Sequence, residues 1–434
     1  MLKVVDVRNE LGDLGRFVPR AQAAFAIEVR DRVTQILAAV KQGGDQAVAE
    51  LTARFDGWDG GAVEVPAEQR KEALDSLDPT LRRALERAAQ QVRSFHERLL
   101  PADWRDSQAG ARLGVVYRPV RRVGVYVPGG LAAYPSTVLM TVIPARVAGV
   151  DEIVLCTPAK DGVVNPTILA AAEMVGVDRV LCIGGAQAVA AMAFGTATVE
   201  RCDKIVGPGN AYVAEAKMQV AAAGICGIDG QAGTTEVAII ADDSADPALL
   251  ACDLVAQAEH DPQAVCLLIS PDADLIDRTL KALVGEVART RHAARVRAAL
   301  SGQGVALLVR DLDQAVVAAD AFAAEHLEVQ TTNSAAVAER VRHAGAIFVG
   351  RDTPVALGDY CAGPNHTLPT GGTARFNAGL STEDFVVRIN WIEYDRAALR
   401  ELAPVVDALA EAEDLPAHAR AVWARLTDDR SDPR

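Results

Sequence analysis

Short, continuous apolar runs alternate with longer amphipathic or Ala-rich segments after residue 114, and this alternation restricts the fold more than any other feature of the chain. Continuous runs of Val, Ile, Leu and Ala are typical of strands that are buried on both faces of a sheet. The segments between the runs have the length of crossover helices, so the pattern predicts an α/β protein with doubly wound parallel sheets. The predicted strands are Val123–Val127, Glu152–Cys156, Arg179–Ile183, Lys204–Val206, Val237–Ile240, Val265–Ile269, Val305–Val309, Leu327–Val329 and Ala346–Val349.

Helical spacing of apolar residues extends this prediction to both ends of the chain. Residues 1–22 are only weakly periodic, and we interpret them as an N-terminal arm. The predicted terminal helices are Ala24–Phe55 with a break at Gly43–Gly44, Ala67–Leu99 with a second helix from Pro79, and a tail from Trp391 that frays after Asp428.

Composition excludes several classes of protein. The net charge of -14 argues against nucleic acid as a main partner, because polyanions are bound by positive surfaces. The seven cysteines include no CxxC pair, which indicates neither a disulfide framework nor a structural zinc ribbon and favours the reducing cytoplasm. The N-terminus is charged where a signal peptide would be apolar, and no apolar stretch reaches the roughly 18 residues of a membrane span. We therefore expect a cytoplasmic protein with no membrane partner.

Four side chains that are distant in the sequence have the chemistry of a zinc site. Gln257 and His260 are three residues apart near a predicted helix end, so their side chains project from one face, about 60° apart. Asp359 would supply a hard oxygen and His418 a second imidazole, and this set suits Zn²⁺ with room for a substrate. A Gln/His pair at this spacing is more often a helix cap or a surface contact, and spacing alone leaves both interpretations open.

Glu325 and His326 lie where a predicted helix gives way to a strand. A histidine with a near-neutral pKa can accept the proton of an alcohol, and an adjacent carboxylate can activate water. The alternative is a solvated helix end. His366 has two interpretations as well, as a packing residue of its loop or as a hydrogen-bonding partner of a substrate.

The Gly-rich turns at residues 128–130, 184–187 and 207–210 raise the question of a dinucleotide, but none of them has the G-x-G-x-x-G spacing with an acidic residue about 20 positions later. Cys361 could be the nucleophile of an aldehyde-oxidising site, although a buried structural thiol is the default for an isolated cysteine. Pattern alone therefore predicts neither a nucleotide site nor a reactive thiol.

Taken together, these motifs show that the chain resembles the histidinol dehydrogenases from end to end. Long matches in the same order carry the resemblance: Val123–Gly130 with Tyr134–Ser136, Gly184–Ala188, Val206–Asn210, Gln257–Asp261, Ala324–Glu328, and Gly358–Thr370 with Gly379–Ser381. The family oxidises L-histidinol through L-histidinal to L-histidine, at the end of histidine biosynthesis, with reduction of two NAD⁺ and one Zn²⁺ per active site.

The resemblance implies a role for each matching residue. It implies that His326 is the general base and that Glu325 activates water for the second oxidation. The implied zinc ligands, which also meet the substrate, are Gln257, His260, Asp359 and His418. The other implied substrate contacts are Thr235, His366 and Glu413, and the implied NAD⁺ contacts are Tyr126, Gln187 and Asn210.

The resemblance also implies the domain organisation: two Rossmann-like domains of incomplete type and a helical tail that reaches across a homodimer, so that Glu413 and His418 complete the partner's site. The expected divisions are an arm at 1–22, a first domain of 23–120 and 234–375, a second, NAD⁺-binding domain at 121–233, and the tail at 376–434.

One stretch departs from the family pattern. Where the family usually has Gly-Pro-Ser-Glu, this chain has Gly233-Thr234-Thr235-Glu236. Thr235 retains a hydroxyl, whereas Thr234 lacks the rigid ring of proline, which could affect the stiffness of the loop.

Two other functions compete with histidinol oxidation. A related zinc- and NAD⁺-dependent dehydrogenase of another small alcohol, such as a sulfonated diol, would change the substrate contacts, but His366 and Glu413 are retained here. A non-enzymatic binding protein would have little need for the Glu325–His326 pair beside a zinc set.

Overall fold

The computed structural model describes residues 1–19, 27–58, 64–129, 133–160, 162–230 and 233–427. The predicted helix start at Ala24, Gly130 of the first Gly-rich turn and the tail after Asp428 lie outside these ranges. The described residues form two compact units, the first of Met1–Leu99 with Val120–Phe385 and the second of Leu100–Pro119 with Val386–Arg434. The domain divisions expected from the sequence remain a prediction.

The strands of the described residues form three sheets, two parallel and one antiparallel. In chain order the strands are β1 Lys3–Asp6, β2 Trp104–Gln108, β3 Ala111–Pro119, β4 Arg122–Tyr126, β5 Glu152–Thr157, β6 Arg179–Cys182, β7 Lys204–Val206, β8 Gly227–Ile228, β9 Glu236–Ala241, β10 Val265–Ser270, β11 Gly304–Leu308, β12 His326–Gln330, β13 Ala346–Val349 and β14 Val386–Tyr394.

Helices connect the strands and cover the sheets. They are α1 Ile27–Asp56, α2 Ala67–Asp75, α3 Pro79–Glu97, α4 Pro135–Ala148, α5 Pro166–Val175, α6 Gly185–Phe194, α7 Ala211–Ala222, α8 Pro247–Ala258, α9 Ala273–Arg289, α10 Ala293–Gly302, α11 Leu312–Phe322, α12 Ser334–Ala338, α13 Val355–Tyr360, α14 Arg396–Ala412 and α15 Pro416–Thr427. Three-residue or four-residue 3₁₀ turns occupy Leu14–Arg16, Thr373–Arg375 and Thr382–Phe385. Across the described ranges, none of the helices is long and apolar enough to cross a bilayer.

Both parallel sheets lie in the first unit and are doubly wound. Their strand orders are β6-β5-β4-β7-β8 and β1-β11-β10-β9-β12-β13. The chain reverses direction across the first sheet between β4 and β7, and across the second between β9 and β12, and crevices form at such reversals. All nine predicted strands are present within one residue of their predicted bounds, which confirms the predicted fold class.

Burial on both faces explains why these strands could be predicted. Every residue of β9 and β10 is buried, and apolar side chains from both faces of the six-stranded sheet enter two separate core clusters. The strand β4 is likewise fully buried in the five-stranded sheet. A strand without a polar face has a continuous apolar sequence, so it can be predicted from its own residues alone.

Caps and breaks that the sequence encodes locally fix the ends of several helices. Asp246 accepts a hydrogen bond from the backbone N–H of Ala248 at 3.0 Å, and Pro247 occupies the first position of α8. The predicted break in α1 is confirmed at Gly44, whose φ of 53° and ψ of -135° are not helical. Asp78 caps α3 ahead of Pro79, as the proline predicted.

The second unit contains a three-stranded antiparallel sheet of order β14-β3-β2 together with α14 and α15. Ala109 and Gly110, both with positive φ, turn the chain between β2 and β3. The two helices confirm the helical tail, but α14 begins at Arg396 and the predicted onset at Trp391 is wrong, because Trp391 lies in β14. Most residues of this sheet are exposed, so its strands lack the apolar run of a buried strand.

The N-terminal arm is also more ordered than its sequence indicates. The strand β1 pairs in parallel with β11, which makes it an edge strand of the six-stranded sheet. Val7 follows β1 and is fully buried, and its backbone N–H bonds to the carbonyl oxygen of Leu308 at 2.9 Å. Pairing with a distant strand supplies the order that local periodicity does not show.

Candidate active site

Glu325 and His326 lie at the amino end of β12, beside the amino end of β9. Both side chains are buried, with 8% and 4% of their surface exposed. The solvated helix end that the sequence left open is therefore not what surrounds them. The chain reverses direction between these two strands, but the pair lies at their amino ends, opposite the carboxyl ends where the crevice of a doubly wound sheet forms.

Glu325 is held by two donors on one carboxylate oxygen. Its Oε2 accepts hydrogen bonds from Oγ1 of Thr235 at 2.6 Å and from the backbone N–H of Glu236 at 2.9 Å. Burial raises the pKa of Glu325 to about 7, against the opposing effect of these two donors. A carboxyl group with a pKa near neutral can exchange a proton at physiological pH, which is what a base toward water requires.

His326 is oriented by the backbone of the neighbouring strand. Its Nδ1 lies 3.1 Å from the carbonyl oxygen of Glu236, and because a carbonyl oxygen can only accept, the proton is on Nδ1. Burial lowers the pKa of His326, so the ring is neutral at physiological pH and Nε2 carries a lone pair. Nε2 lies 3.8 Å from Oδ1 of Asp359, too far for a hydrogen bond, and it remains free to accept a proton.

Three of the four predicted zinc ligands are in the first unit. Oδ2 of Asp359 lies 3.8 Å from Nε2 of His260, and Gln257 is one helical turn before His260. Nε2 of Gln257 donates to Oγ1 of Thr235 at 2.6 Å, whereas its buried Oε1 has no hydrogen-bond partner among the described residues. In the part of the chain that the structure describes, no three His, Cys, Asp or Glu side chains form a metal cluster.

These residues nevertheless fit a zinc ion in their chemistry. An imidazole nitrogen, a carboxylate oxygen and an amide oxygen are donors that Zn²⁺ accepts. A buried amide oxygen without a partner costs free energy unless something binds it, and Oε1 of Gln257 is such an oxygen. The amide donor also explains why no cluster of His, Cys, Asp and Glu alone is found.

Asp359 is positioned by the short helix α13 and by two anchors on it. Glu328 accepts a hydrogen bond from the backbone N–H of Val355, the first residue of α13, at 3.1 Å. Gly358 packs so closely on the ring of Phe348 that a Cβ on it would lie 2.6 Å from Cζ. Only glycine fits this contact, so the glycine before Asp359 has a packing reason.

His366 joins the loop after α13 to the five-stranded half of the unit. Its Nδ1 lies 2.9 Å from the carbonyl oxygen of Asp359, and its Nε2 lies 3.4 Å from Oγ1 of Thr137 in α4. Asn365 donates to the carbonyl oxygen of Met140 in the same helix at 2.5 Å. These bonds give His366 a structural role in the loop, and a direct contact with substrate remains a prediction.

Glu413 and His418 belong to the second unit. Glu413 ends α14 and His418 lies in the first turn of α15, and both side chains are exposed. Their predicted role in a neighbouring subunit's site remains a prediction.

The three predicted NAD⁺ contacts lie at the carboxyl edge of the five-stranded sheet. Tyr126 ends β4, and its buried hydroxyl oxygen accepts from the backbone N–H of Gly185 at 3.0 Å. Gln187 is buried in the first turn of α6, where Nε2 has no partner among the described residues. Asn210 caps α7 through bonds from the backbone of Tyr212 and Val213. A buried polar side chain without a partner, such as that of Gln187, suits a bound dinucleotide.

The turn after β7 is fixed by a buried ion pair. Lys217 and Asp229 form a salt bridge with side chains only 2% and 3% exposed. Nζ of Lys217 donates to the carbonyl oxygen of Gly207 at 2.9 Å, and Oδ2 of Asp229 accepts from the backbone N–H of Gly207 at 2.7 Å. Gly207 has a φ of 113°, and a Cβ there would lie 2.1 Å from the carbonyl oxygen of Tyr126. The pair holds this turn against the end of β4.

Known proteins resemble this chain in both sequence and fold. A family model of histidinol dehydrogenase matches residues 19–426. The chain is 47% identical over 426 residues to a histidinol dehydrogenase of Parasynechococcus marenigrum, covering 98% of this chain and 97% of that one. The chain belongs to the histidinol dehydrogenase family. It is accordingly an enzyme, an oxidoreductase.

Two further relatives agree over nearly their whole length. A histidinol dehydrogenase of Thermobifida fusca is 46% identical over 432 residues, with 97% of each chain covered. A crystal structure of histidinol dehydrogenase from Elizabethkingia anophelis has a TM-score of 0.93 at 32% identity, with 99% of each chain covered.

Despite the departure from the family pattern at Thr234-Thr235, the hydroxyl of Thr235 makes hydrogen bonds in the candidate site. Oγ1 of Thr235 donates to Glu325 and accepts from Gln257, each at 2.6 Å. A serine hydroxyl could make the same two bonds. Thr235 therefore connects the residue predicted to activate water with a predicted zinc ligand.

Two buried charged residues, Glu236 and Lys217, were not predicted from the sequence. Glu236 begins an otherwise apolar strand, is buried, and accepts from the backbone N–H of Gly371 at 3.0 Å. Burial and the charge of Glu325 raise the pKa of Glu236 to about 8. A lone carboxylate or ammonium in an apolar run is the signal that could have revealed Glu236 and Lys217.

Proposed function

We propose that the chain oxidises L-histidinol through L-histidinal to L-histidine with the reduction of two NAD⁺. The observation that carries the proposal is the buried pair at the start of β12, in which a neutral His326 with a free Nε2 stands beside Glu325, whose pKa is near 7. Each of the two oxidations needs a base, and this pair offers one for each.

His326 would serve the first oxidation. Hydride leaves the carbinol carbon of histidinol as the hydroxyl proton is removed, so a base must reach that oxygen while NAD⁺ lies against the carbon. Nε2 of His326 is the free ring nitrogen, and the carbonyl oxygen of Glu236 stabilises the ring while Nε2 takes up the proton. The proton moves from the alcohol to Nε2.

Glu325 would serve the second oxidation. The aldehyde must be hydrated before a second hydride can leave, and the ionised carboxylate would take a proton from water. The bonds from Thr235 and from the backbone of Glu236 occupy one carboxylate oxygen, Oε2, so Oε1 remains for water. Burial around both residues would limit the loss of the aldehyde to solvent.

We place zinc at Gln257, His260 and Asp359, with His418 of the partner subunit as the fourth ligand. When bound, Zn²⁺ would hold the imidazole and the amine of histidinol and so set the carbinol opposite the base. The buried, unpartnered Oε1 of Gln257 supports this assignment. Removal of metal by a chelator should abolish activity and Zn²⁺ should restore it, whereas full activity in the metal-free protein would contradict the assignment.

We further place the nicotinamide dinucleotide at Tyr126, Gln187 and Asn210, and the substrate contacts of the second unit, Glu413 and His418, in a neighbouring subunit's site. Exposed apolar side chains on the second unit support a homodimer, since patches of this kind commonly mark interfaces. They include Trp104, Val387, Ile389, Ile392, Val405 and Leu409. The cytoplasmic location predicted from the sequence remains a prediction.

The experiment that tests the proposal is the yield of NADH per L-histidinol. Two NADH per substrate are expected for the four-electron oxidation. One NADH would indicate a simple alcohol dehydrogenase, such as an enzyme acting on another small alcohol. No NADH from histidinol would overturn the proposal.

A further inference from the structure

Asp56, at the end of α1, places its carboxylate against the turn that starts α6. A Cβ on Gly184 would lie 2.9 Å from Oδ2 and 3.0 Å from Oδ1 of Asp56. Gly184 directly precedes α6, so the carboxylate is at the beginning of that helix. A side chain at position 184 would displace this carboxylate, which lies with the end of α1 beside the carboxyl edge of the five-stranded sheet.

Three polar groups around this turn have unused hydrogen-bonding capacity. Oδ2 of Asp56 and Nε2 of Gln187 are buried and have no partner among the described residues. The hydroxyl of Tyr126 accepts from Gly185, which leaves its proton available to a further acceptor. Burial raises the pKa of Asp56, and the backbone N–H of Gly184 opposes that shift. A carboxylate with a free buried oxygen is one that a ligand could satisfy.

The usual dinucleotide fold places an acidic residue at the end of the strand next to the first one, where it binds the ribose 2′-hydroxyl. The corresponding strand here is β5, which neighbours β4 and ends at Thr157, followed by Pro158. Neither residue is acidic. Cβ of Pro158 would lie 2.8 Å from the same Cβ on Gly184 that approaches Asp56. The carboxylate of Asp56 therefore stands where that acid is missing, although it comes from a helix before the sheet.

We propose that Asp56 binds the hydroxyl groups of the adenosine ribose of NAD⁺ and thereby excludes NADP⁺. The inference rests on the proposed NAD⁺-dependent activity and adds a residue that decides which dinucleotide is used. We assign the adenosine half of NAD⁺ to the region of Asp56 because Gly184 follows the edge strand β6, away from the reversal between β4 and β7. A carboxylate accepts hydrogen bonds from two hydroxyls and repels a 2′-phosphate.

The main test compares NADH and NADPH binding by fluorescence titration for the wild type, Asp56→Asn and Asp56→Ser, together with kcat and KM for NAD⁺ and NADP⁺. The wild type should prefer NAD⁺. Asp56→Asn should raise KM for NAD⁺ about 10-fold with little change in kcat, because a hydrogen bond to a charged group is lost. The ratio of NADP⁺ to NAD⁺ use should rise by about 10-fold or more. Once the carboxylate of Asp56 is replaced, exposed Lys160, three residues after β5, would favour the 2′-phosphate of NADP⁺.

Controls separate this inference from the proposed activity. Glu50→Gln on the exposed side of α1, where Glu50 bonds to Gln46, should leave the ratio unchanged. NAD⁺ that lacks the adenosine 2′-hydroxyl should bind the wild type about 10-fold less tightly than NAD⁺ does, and this comparison needs no variant. An unchanged cofactor ratio in folded Asp56→Asn, or equal wild-type affinity for the deoxy compound, would overturn the role of Asp56. Absence of NADH formation from histidinol, with dinucleotide binding intact, would overturn only the activity.

Discussion

Two buried carboxyl groups, Glu325 and Glu236, are adjacent at the amino ends of β12 and β9 and have different surroundings. Two donors hold one oxygen of Glu325, whereas Glu236 accepts one backbone N–H and has an unpartnered Oε2 among the described residues. Both have raised pKa values, about 7 and about 8, mainly because burial disfavours the charged form. Glu325, whose carboxylate has the two donors, is the one suited to ionise first and to act on water.

Replacement of the two proposed bases should separate the two oxidations. His326→Asn should lower kcat for both histidinol and histidinal by about 100-fold or more, because a positioned general base contributes about that much. Glu325→Gln should slow the histidinal step by a similar factor and leave the histidinol step much less affected. Rapid-mixing NADH traces with each substrate measure the two steps. Equal loss of both steps in Glu325→Gln would contradict the division of roles.

The pKa of Glu236 predicts how stability changes with pH. Its folded-state pKa of about 8 lies above the ordinary glutamate pKa of 4.5, so folding favours the protonated form. This contribution to stability is fully present below pH 4.5 and is lost as the pH rises through about 8. Glu236→Gln resembles the neutral acid and should therefore be more stable than the wild type at pH 9, by on the order of a few kcal/mol.

Urea unfolding of Glu236→Gln and the wild type at pH 5 and pH 9 measures this difference. The two proteins should differ little at pH 5, where Glu236 is protonated. If the difference in unfolding free energy between the wild type and Glu236→Gln is the same at pH 5 and pH 9, Glu236 is already ionised in the folded protein at pH 5.

At the scale of single elements, the turn after β7 depends on its buried ion pair. Lys217→Met would leave Asp229 buried without its cation, at a cost of about 3–5 kcal/mol of unfolding free energy. It should also raise KM for NAD⁺, since Gly207 lies against the end of β4 and precedes Asn210 by three residues. Arg82→Ala, which breaks the exposed Arg82–Glu86 pair in α3, is the matched control and should cost less than about 1 kcal/mol.

Urea unfolding and NAD⁺ kinetics of both variants provide the measurement. The double change Lys217→Met with Asp229→Asn should recover part of the lost stability, because the uncompensated charge is then removed. Equal effects of Lys217→Met and Arg82→Ala would show that the buried pair contributes nothing beyond an exposed one.

At the scale of the whole molecule, the proposal of a shared active site can be tested by mixing two inactive variants. His326→Asn and His418→Asn should each inactivate both sites of the proposed homodimer. If a site combines His326 of one subunit with His418 of its partner, a mixed dimer regains one intact site. Subunit exchange at equal concentration should then restore about a quarter of wild-type activity, since about half of the dimers are mixed.

This recovery is measured by NADH formation after the exchange, with each variant mixed with itself as the control. Recovery no greater than that of the self-mixed controls, in samples shown by mass spectrometry to contain mixed dimers, would place both histidines in a site built from one subunit.

The sequence by itself determined the two parallel sheets, because strands buried on both faces carry their pattern locally, as β9 and β10 do. The motifs around Gln257, His326 and Asp359 likewise indicated the region of the candidate site, because the family resemblance is carried by short stretches of sequence.

Only the tertiary structure decided which polar groups meet. The bond from Thr235 to Glu325 spans 90 residues, and the contact of Asp56 with Gly184 joins a helix to a distant turn. The exposed strands β2 and β14 are stabilised by pairing with β3, not by a pattern of their own. Pairing and burial between residues far apart in the chain depend on the folded arrangement, and no local periodicity records them.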